Sequence, residues 1–240
     1  RAEDKDPRMI QARSKEFNVQ LAQYTRPMEK LLYQLLDEND LPLIAKSLNP
    51  NQRAELLWTK WQLLKNPVAL SLDLSRWDMH TSKDLLKVAH TFYLTICPDS
   101  HFAKLLKEQL RNKGMTSTGI KYVTDGGVMS GDMTTALGNC AMVCIILQGL
   151  KDLIRNWDKL SAIVCRDHGQ CVLTDLISVR NRLESSVNGF PIDVPKILDD
   201  GDDHVILVER EEHQKWMILL QEWFRLVGHK LTVEGFTNQF

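Results

Sequence analysis

Four aspartates crowd one glycine in "KILDDGDDHVILVE", residues 196–209, where Asp199, Asp200, Asp202 and Asp203 lie between two apolar stretches. Carboxylates this close repel one another and resist ionisation unless a cation sits among them. Taken alone, such a cluster reads as a solvated acidic turn. A helix-loop-helix calcium site does not fit, because that loop needs oxygen donors at alternating positions and here apolar "VILV" follows directly. A second source of acids changes the chemistry on offer. Asp73 lies in the alternating run "VALSLDLS", and Asp78 follows five residues later in "DLSRWD". Hard divalent cations such as Mg²⁺ take a few carboxylates together with substrate phosphates. Two such ions stabilise both the attacking and the leaving oxygen of an in-line phosphoryl transfer. Two strands bringing Asp73 beside Asp202 would build a site of this kind.

Further polar groups lie in and after the glycine-rich "TDGGVMSGD", residues 124–132. Ser130 belongs to it, and Thr135 and Asn139, four residues apart and so on one helical face, follow. "CRDHGQC" spaces Cys165, His168 and Cys171 like a zinc clip, but supplies three ligands where a structural zinc takes four, so no zinc site is expected. Trp58, Trp61, Trp216 and Trp223 read as packing residues rather than base-stacking platforms.

The elements that must position these groups are partly legible. In "VALSLDLS" Val68, Leu70, Leu72 and Leu74 point one way, which puts Asp73 on the polar face of a half-buried strand. The acidic stretch reads as strand, tight turn, strand. Its two-residue loop is either Asp200–Gly201 in a type I′ turn or Gly201–Asp202 in a type II′ turn. Residues 1–18 read as an exposed loop or strand pair. Helices are expected at 19–36 with Pro27 in an early turn, at 51–65, at 81–95, and from an Asp99/Ser100 cap to a stop at Gly114. "MTTALGNCAMVCIILQGLKDLI" reads as an apolar helix, and residues 211–227 as a helix stopped by Gly228 before a strand near "KLTVEG". Residues 155–195 mix short apolar runs with turn residues and read as an insertion.

With 240 residues, 43% of them hydrophobic, the chain has enough for one large core or two smaller ones. A formal net charge of −1 excludes a uniformly basic nucleic-acid coat, though not a local basic groove. Five scattered cysteines and no secretory signal point to a reducing compartment without disulfides. The longest apolar run, "AMVCIIL" at 141–147, falls short of the roughly 20 residues that span a bilayer, so no transmembrane segment is expected here. Starting at Arg1 without an initiator Met, the chain is expected to be an excerpt of a longer polypeptide.

In this order, "DLSRWD", "SGDMTTALGN" and "GDD" resemble motifs A, B and C of viral RNA-dependent RNA polymerases, whose B pattern is S-G-x-x-x-T-x-x-x-N. "DPRMIQARSKEFNVQLAQYTRPMEKLLY" is similar to the preceding motif F in its tombusvirus-like form. Each motif alone says little, and GDD almost nothing; the signal is their order across residues 5–203. The resemblance implies an α+β, right-hand polymerase palm, an antiparallel sheet packed on helices, with partial fingers and no thumb. Residues 1–66 would hold the partial fingers and motif F. Residues 67–240 would form the palm with motifs A (73–78), B (130–139) and C (201–203) and the insertion around 155–195.

The resemblance also implies roles. Asp73 and Asp202 would hold two Mg²⁺ ions, or Mn²⁺ in their place, with Asp203 auxiliary and all three catalytic. Asp78 and Asn139 would recognise the ribose 2′-hydroxyl. Arg8 and Arg13 would line the path of the incoming triphosphate. Ser130 and Gly131 would contact template and nucleotide, with Thr135 supporting them. Lys230, in the region of motif D, would offer a general acid to the pyrophosphate. The implied activity is RNA-directed RNA polymerisation, a nucleotidyl transfer in replication of a viral RNA genome. Its partners would be template and nascent RNA, ribonucleoside triphosphates and other viral replication proteins. Its place would be the host cytoplasm, at membrane-associated replication sites reached through regions outside this stretch. The competing reading is a non-catalytic RNA-binding or scaffold module derived from such a polymerase.

Overall fold

The computed structural model describes residues 11, 13–74, 76–156, 169–187, 195–201 and 203–237, so Arg8, Asp202, Cys165 and His168 lie outside the described residues. The chain forms two compact units, each discontinuous in sequence. One comprises residues 1–30 and 78–138, the other 31–77 and 139–240.

In the first unit α1 spans Lys15–Leu32. The expectation of a loop or strand pair up to residue 18 gives way to a helix from Lys15, because Ser14 accepts the Phe17 N–H at 3.2 Å and caps it. Pro27 is therefore inside the helix rather than in an early turn. The one-turn α-helix α3, Trp77–His80, leads into α4, Lys83–Ile96, whose cap Ser82 accepts from Leu85 N–H. Asp99 caps α5, Ser100–Glu108, as its position before Ser100 predicts. This helix ends well before Gly114. Arg111–Met115 (β2) instead pairs antiparallel with Lys121–Asp125 (β3), and a Cβ on Gly114 would lie 2.1 Å from the Tyr122 ring. Gly114 thus permits close approach of a cross-strand aromatic and does not stop a helix.

The second unit is built on a four-stranded antiparallel sheet in the order β4-β5-β1-β6, with β1 Pro67–Leu74, β4 Lys196–Asp200, β5 Asp203–Glu209 and β6 Leu231–Thr237. Val68, Leu70, Leu72 and Leu74 of β1 are buried together, as the alternation predicts. Helices supply the rest of the core. α2, Pro50–Trp61, starts at a capping box in which Asn49 and Gln52 satisfy each other's backbone N–H groups. α6, Thr135–Arg155, buries Cys140, Ala141, Met142, Val143, Ile146, Leu147, Leu150 and Leu153. By length and composition α6 could cross a bilayer, which the 141–147 run did not indicate, yet 67% of its most apolar stretch is buried, as in a core helix. The stretch read as an insertion contains α7, Gly169–Val187, where Leu183 and Val187 are buried. α8, His213–Leu226, follows a short 3₁₀ turn at Arg210–Glu212 and buries Trp216, Leu219, Leu220 and Phe224 as one stripe. Gly228, at φ +90°, follows it, as its stop position predicts. The fold is α+β, an antiparallel sheet packed on helices.

Candidate active site

Pairing of Asp200 with Asp203 leaves Gly201 and position 202 as a two-residue loop, and Gly201 has φ +94°. This is the register of the Gly201–Asp202 alternative, in which glycine supplies the positive φ of the first loop position. The register continues across the sheet: Asp200 opposite Asp203, Asp203 opposite Asp73, and Asp73 opposite Thr232. Directly opposed residues project to the same face with Cα atoms about 4.5–5.5 Å apart, so three carboxylates stand in a row. They differ in their partners. Asp200 is bound by Arg53, and Lys46 Nζ lies 3.6 Å from its Oδ1 and donates to its carbonyl at 2.9 Å. Among the described residues neither Asp73 nor Asp203 pairs with a cation. Two like-charged oxygen donors, Asp73 half-buried and Asp203 exposed, fit a hard divalent cation. Among the described residues no group of three or more His, Cys, Asp or Glu is arranged to hold a metal, and the implied third ligand, Asp202, is not described.

Asp199 has a role that its spacing could have revealed. It is fully buried on the other face of the sheet, where it pairs with His204. Its Oδ1 accepts the Gly201 N–H at 2.7 Å, and its Oδ2 accepts the Cys144 thiol at 3.0 Å. His204 Nδ1 stands 3.3 Å from Oδ1, although neither ring nitrogen makes a hydrogen bond. Burial, with the Asp199 charge added, pushes the Cys144 thiol well above its usual range and keeps it protonated as a donor. The bond from an aspartate to the N–H two residues on is an Asx turn, and "D-x-G" at a hairpin tip carries that signal. Asp199 therefore fastens the turn from behind, and Asp200 is an ion-paired neighbour.

Asn139 is buried, and its Oδ1 accepts from Trp77 Nε1 at 3.0 Å. Because indole nitrogen only donates, this bond fixes the amide orientation. Trp77 itself stacks on the buried His229, with centroids 4.2 Å apart. Lys230 is exposed just before β6, where Leu231 pairs with Leu74 at the end of β1.

The first unit holds the remaining residues. Gln11 N–H donates to Ser130 Oγ at 3.1 Å and Gly131 N–H donates to Gln11 O at 3.1 Å. Thr135 Oγ1 donates to Met129 O at 2.9 Å, closing the loop before α6. The Asp78 carbonyl accepts from Val128 N–H at 2.7 Å. Arg13 is engaged more fully than an open phosphate ligand: Nε meets the buried Asp132 at 2.5 Å, Nη2 donates to Asn112, and the guanidinium lies 4.8 Å over the Phe17 ring. Behind this loop His90 is buried. Burial holds its pKa down at about 4, against the hydrogen bond that the ring donates to Gln109 and the charge of Asp132.

The model of the family described as viral RNA dependent RNA polymerase matches residues 1–165. The RNA-directed RNA polymerase of Groundnut rosette virus (strain MC1) is 32% identical over 235 residues, covering 96% of this chain and 24% of the relative. Those of Melon necrotic spot virus and Carnation mottle virus are 39% and 38% identical over 72% and 78% of this chain. The chain spans about a quarter of the length of these relatives.

Proposed function

The chain belongs to the viral RNA-dependent RNA polymerase family, and we propose that the protein containing it synthesises RNA on an RNA template during replication of a viral genome. The observation that carries this reading is the register pairing of Asp73 with Asp203 beside the Gly201 turn, two carboxylates without a cation partner among the described residues. Asp73, Asp202 and Asp203 would hold Mg²⁺, or Mn²⁺, which when bound supplies Lewis-acid stabilisation of the attacking and leaving oxygens. The 3′-hydroxyl of the growing strand attacks the α-phosphate of a ribonucleoside triphosphate and pyrophosphate leaves, with no covalent enzyme intermediate.

The other residues bind and orient. Asn139, whose oxygen is held by Trp77, offers its amide nitrogen to the ribose 2′-hydroxyl, and Asp78 accepts from that hydroxyl. Ser130 and Gly131 contact nucleotide and template, supported by Thr135. Arg8 binds triphosphate oxygens, while Arg13, with Nε and Nη2 already committed, adds positive potential through Nη1. Lys230 donates a proton to the departing pyrophosphate. Other viral replication proteins and a membrane-associated site in the host cytoplasm complete the proposed setting.

The test is Mg²⁺-dependent extension of an RNA strand by the full-length protein, compared with its Asp202→Asn and Asp73→Asn variants. Extension lost in both variants supports the reading. Equal extension in all three refutes it, and RNA binding without extension by the wild type would establish the scaffold alternative.

A further inference from the structure

In the loop that precedes α6, Ser130 and Gly131 are held from outside the loop. Every hydrogen bond described for Ser130 and Gly131 goes to the segment 11–18: Gln11 N–H to Ser130 Oγ, Gly131 N–H to Gln11 O, and Asn18 Nδ2 to Gly131 O at 3.0 Å. Asn18 also reaches two residues further, accepting the Met133 N–H through Oδ1 at 3.3 Å. One planar amide thus holds a carbonyl and an N–H on either side of Asp132, the residue that Arg13 grips. Gln11 contributes only backbone to these bonds, so Asn18 is the side chain of the segment that binds the loop's backbone. Its base is firm, because Asn18 lies in the first turn of α1, where its N–H bonds the Ser14 carbonyl at 3.1 Å and Ser14 caps the helix.

We infer that Asn18 is a positioning residue that sets the fraction of molecules in which the Ser130–Gly131 loop is shaped to receive a nucleotide. This rests on the proposed polymerase reading, in which Ser130 and Gly131 touch the incoming nucleotide. Losing both bonds frees the two peptide units to sample other conformations. Apparent affinity then falls in proportion to the competent fraction, while chemistry in molecules that do bind is unaltered. The signature is a KM effect.

The experiment measures single-nucleotide incorporation by the full-length protein and its Asn18→Ala and Asn18→Asp variants, with amide exchange of residues 130–135 followed in parallel. For Asn18→Ala, KM for the nucleotide should rise about tenfold, or roughly 1.4 kcal/mol, with kcat changed less than about threefold. Asn18→Asp keeps the acceptor for Met133 N–H but not the donor, and should fall between. The Asp132 and Met133 amides, which belong to the two peptide units that Asn18 holds, should exchange faster in Asn18→Ala. Unchanged KM and exchange in Asn18→Ala overturn the inference, as does a lowered melting temperature without a KM change. A wild-type protein that extends no RNA overturns the polymerase reading instead, and the exchange result, which needs no activity, still decides whether Asn18 holds the loop.

Discussion

Replacing Asp203 with asparagine should make the metal-free protein more stable while abolishing the proposed RNA extension. Asp203 faces Asp73 directly across β1 and β5, and Asp200 across β4 and β5. Opposed residues place their charges at about 5 Å, where two like charges repel by about 0.8 kcal/mol in water and about 3 kcal/mol at an effective dielectric of 20. Asp203 is exposed, so the lower figure governs. Repulsion from Asp200 is largely offset, because Arg53 and Lys46 already neutralise it. The gain from Asp203→Asn is therefore about 0.8 kcal/mol, or roughly 2–3 °C in melting temperature for a unit of this size. Thermal unfolding in EDTA reads this directly. Adding Mg²⁺ should reverse the ranking, since an ion bound only by the folded wild type stabilises it by mass action. A lower melting temperature for Asp203→Asn in EDTA would refute the reasoning, because the pair would then be held by favourable contacts rather than kept for a cation.

Two other outcomes follow from the buried groups. Asp199→Ala strands the Gly201 N–H and the Cys144 thiol, and should cost about 2–4 kcal/mol of stability, whereas Cys144→Ala should cost about 1 kcal/mol; thermal unfolding of both variants checks the difference, and similar losses would count against it. His90, with its folded pKa at about 4 against 6.5, stays neutral in the fold while the unfolded chain takes up a proton. Stability should therefore be intact above pH 6.5 and fall by about 3 kcal/mol as the pH drops to about 4. His90→Gln should flatten that part of the pH–stability profile, and superimposable profiles would show that His90 is not its source.

Much of the scaffold was legible because it rests on local patterning. The period-2 run of β1, the Asp99 cap, the apolar length of α6 and the Gly228 stop each depend on residues near in sequence. The misread elements depend on distant partners. Arg111–Met115 has no strong local preference and becomes a strand by pairing with Lys121–Asp125, with Tyr122 lying against Gly114. The start of α1 was hidden by its charge, although the Ser14 cap was there to be found.

The same division runs through the candidate site. Residue types and motif order alone pointed to the chemistry proposed: carboxylates for a hard cation, a glycine for a tight turn, an amide and an acid for a ribose hydroxyl. Only the tertiary structure decided how the three described acids around that glycine, Asp199, Asp200 and Asp203, divide. Side chains alternate along a strand, so a one-residue step sends Asp199 into the core and Asp200 and Asp203 to the open face. What separates the latter two is lateral: Asp200 meets Arg53 and Lys46, about 150 residues away in sequence, whereas Asp203 meets Asp73. Parity is written in the chain, but the neighbours that give each carboxylate its role are brought together only by folding.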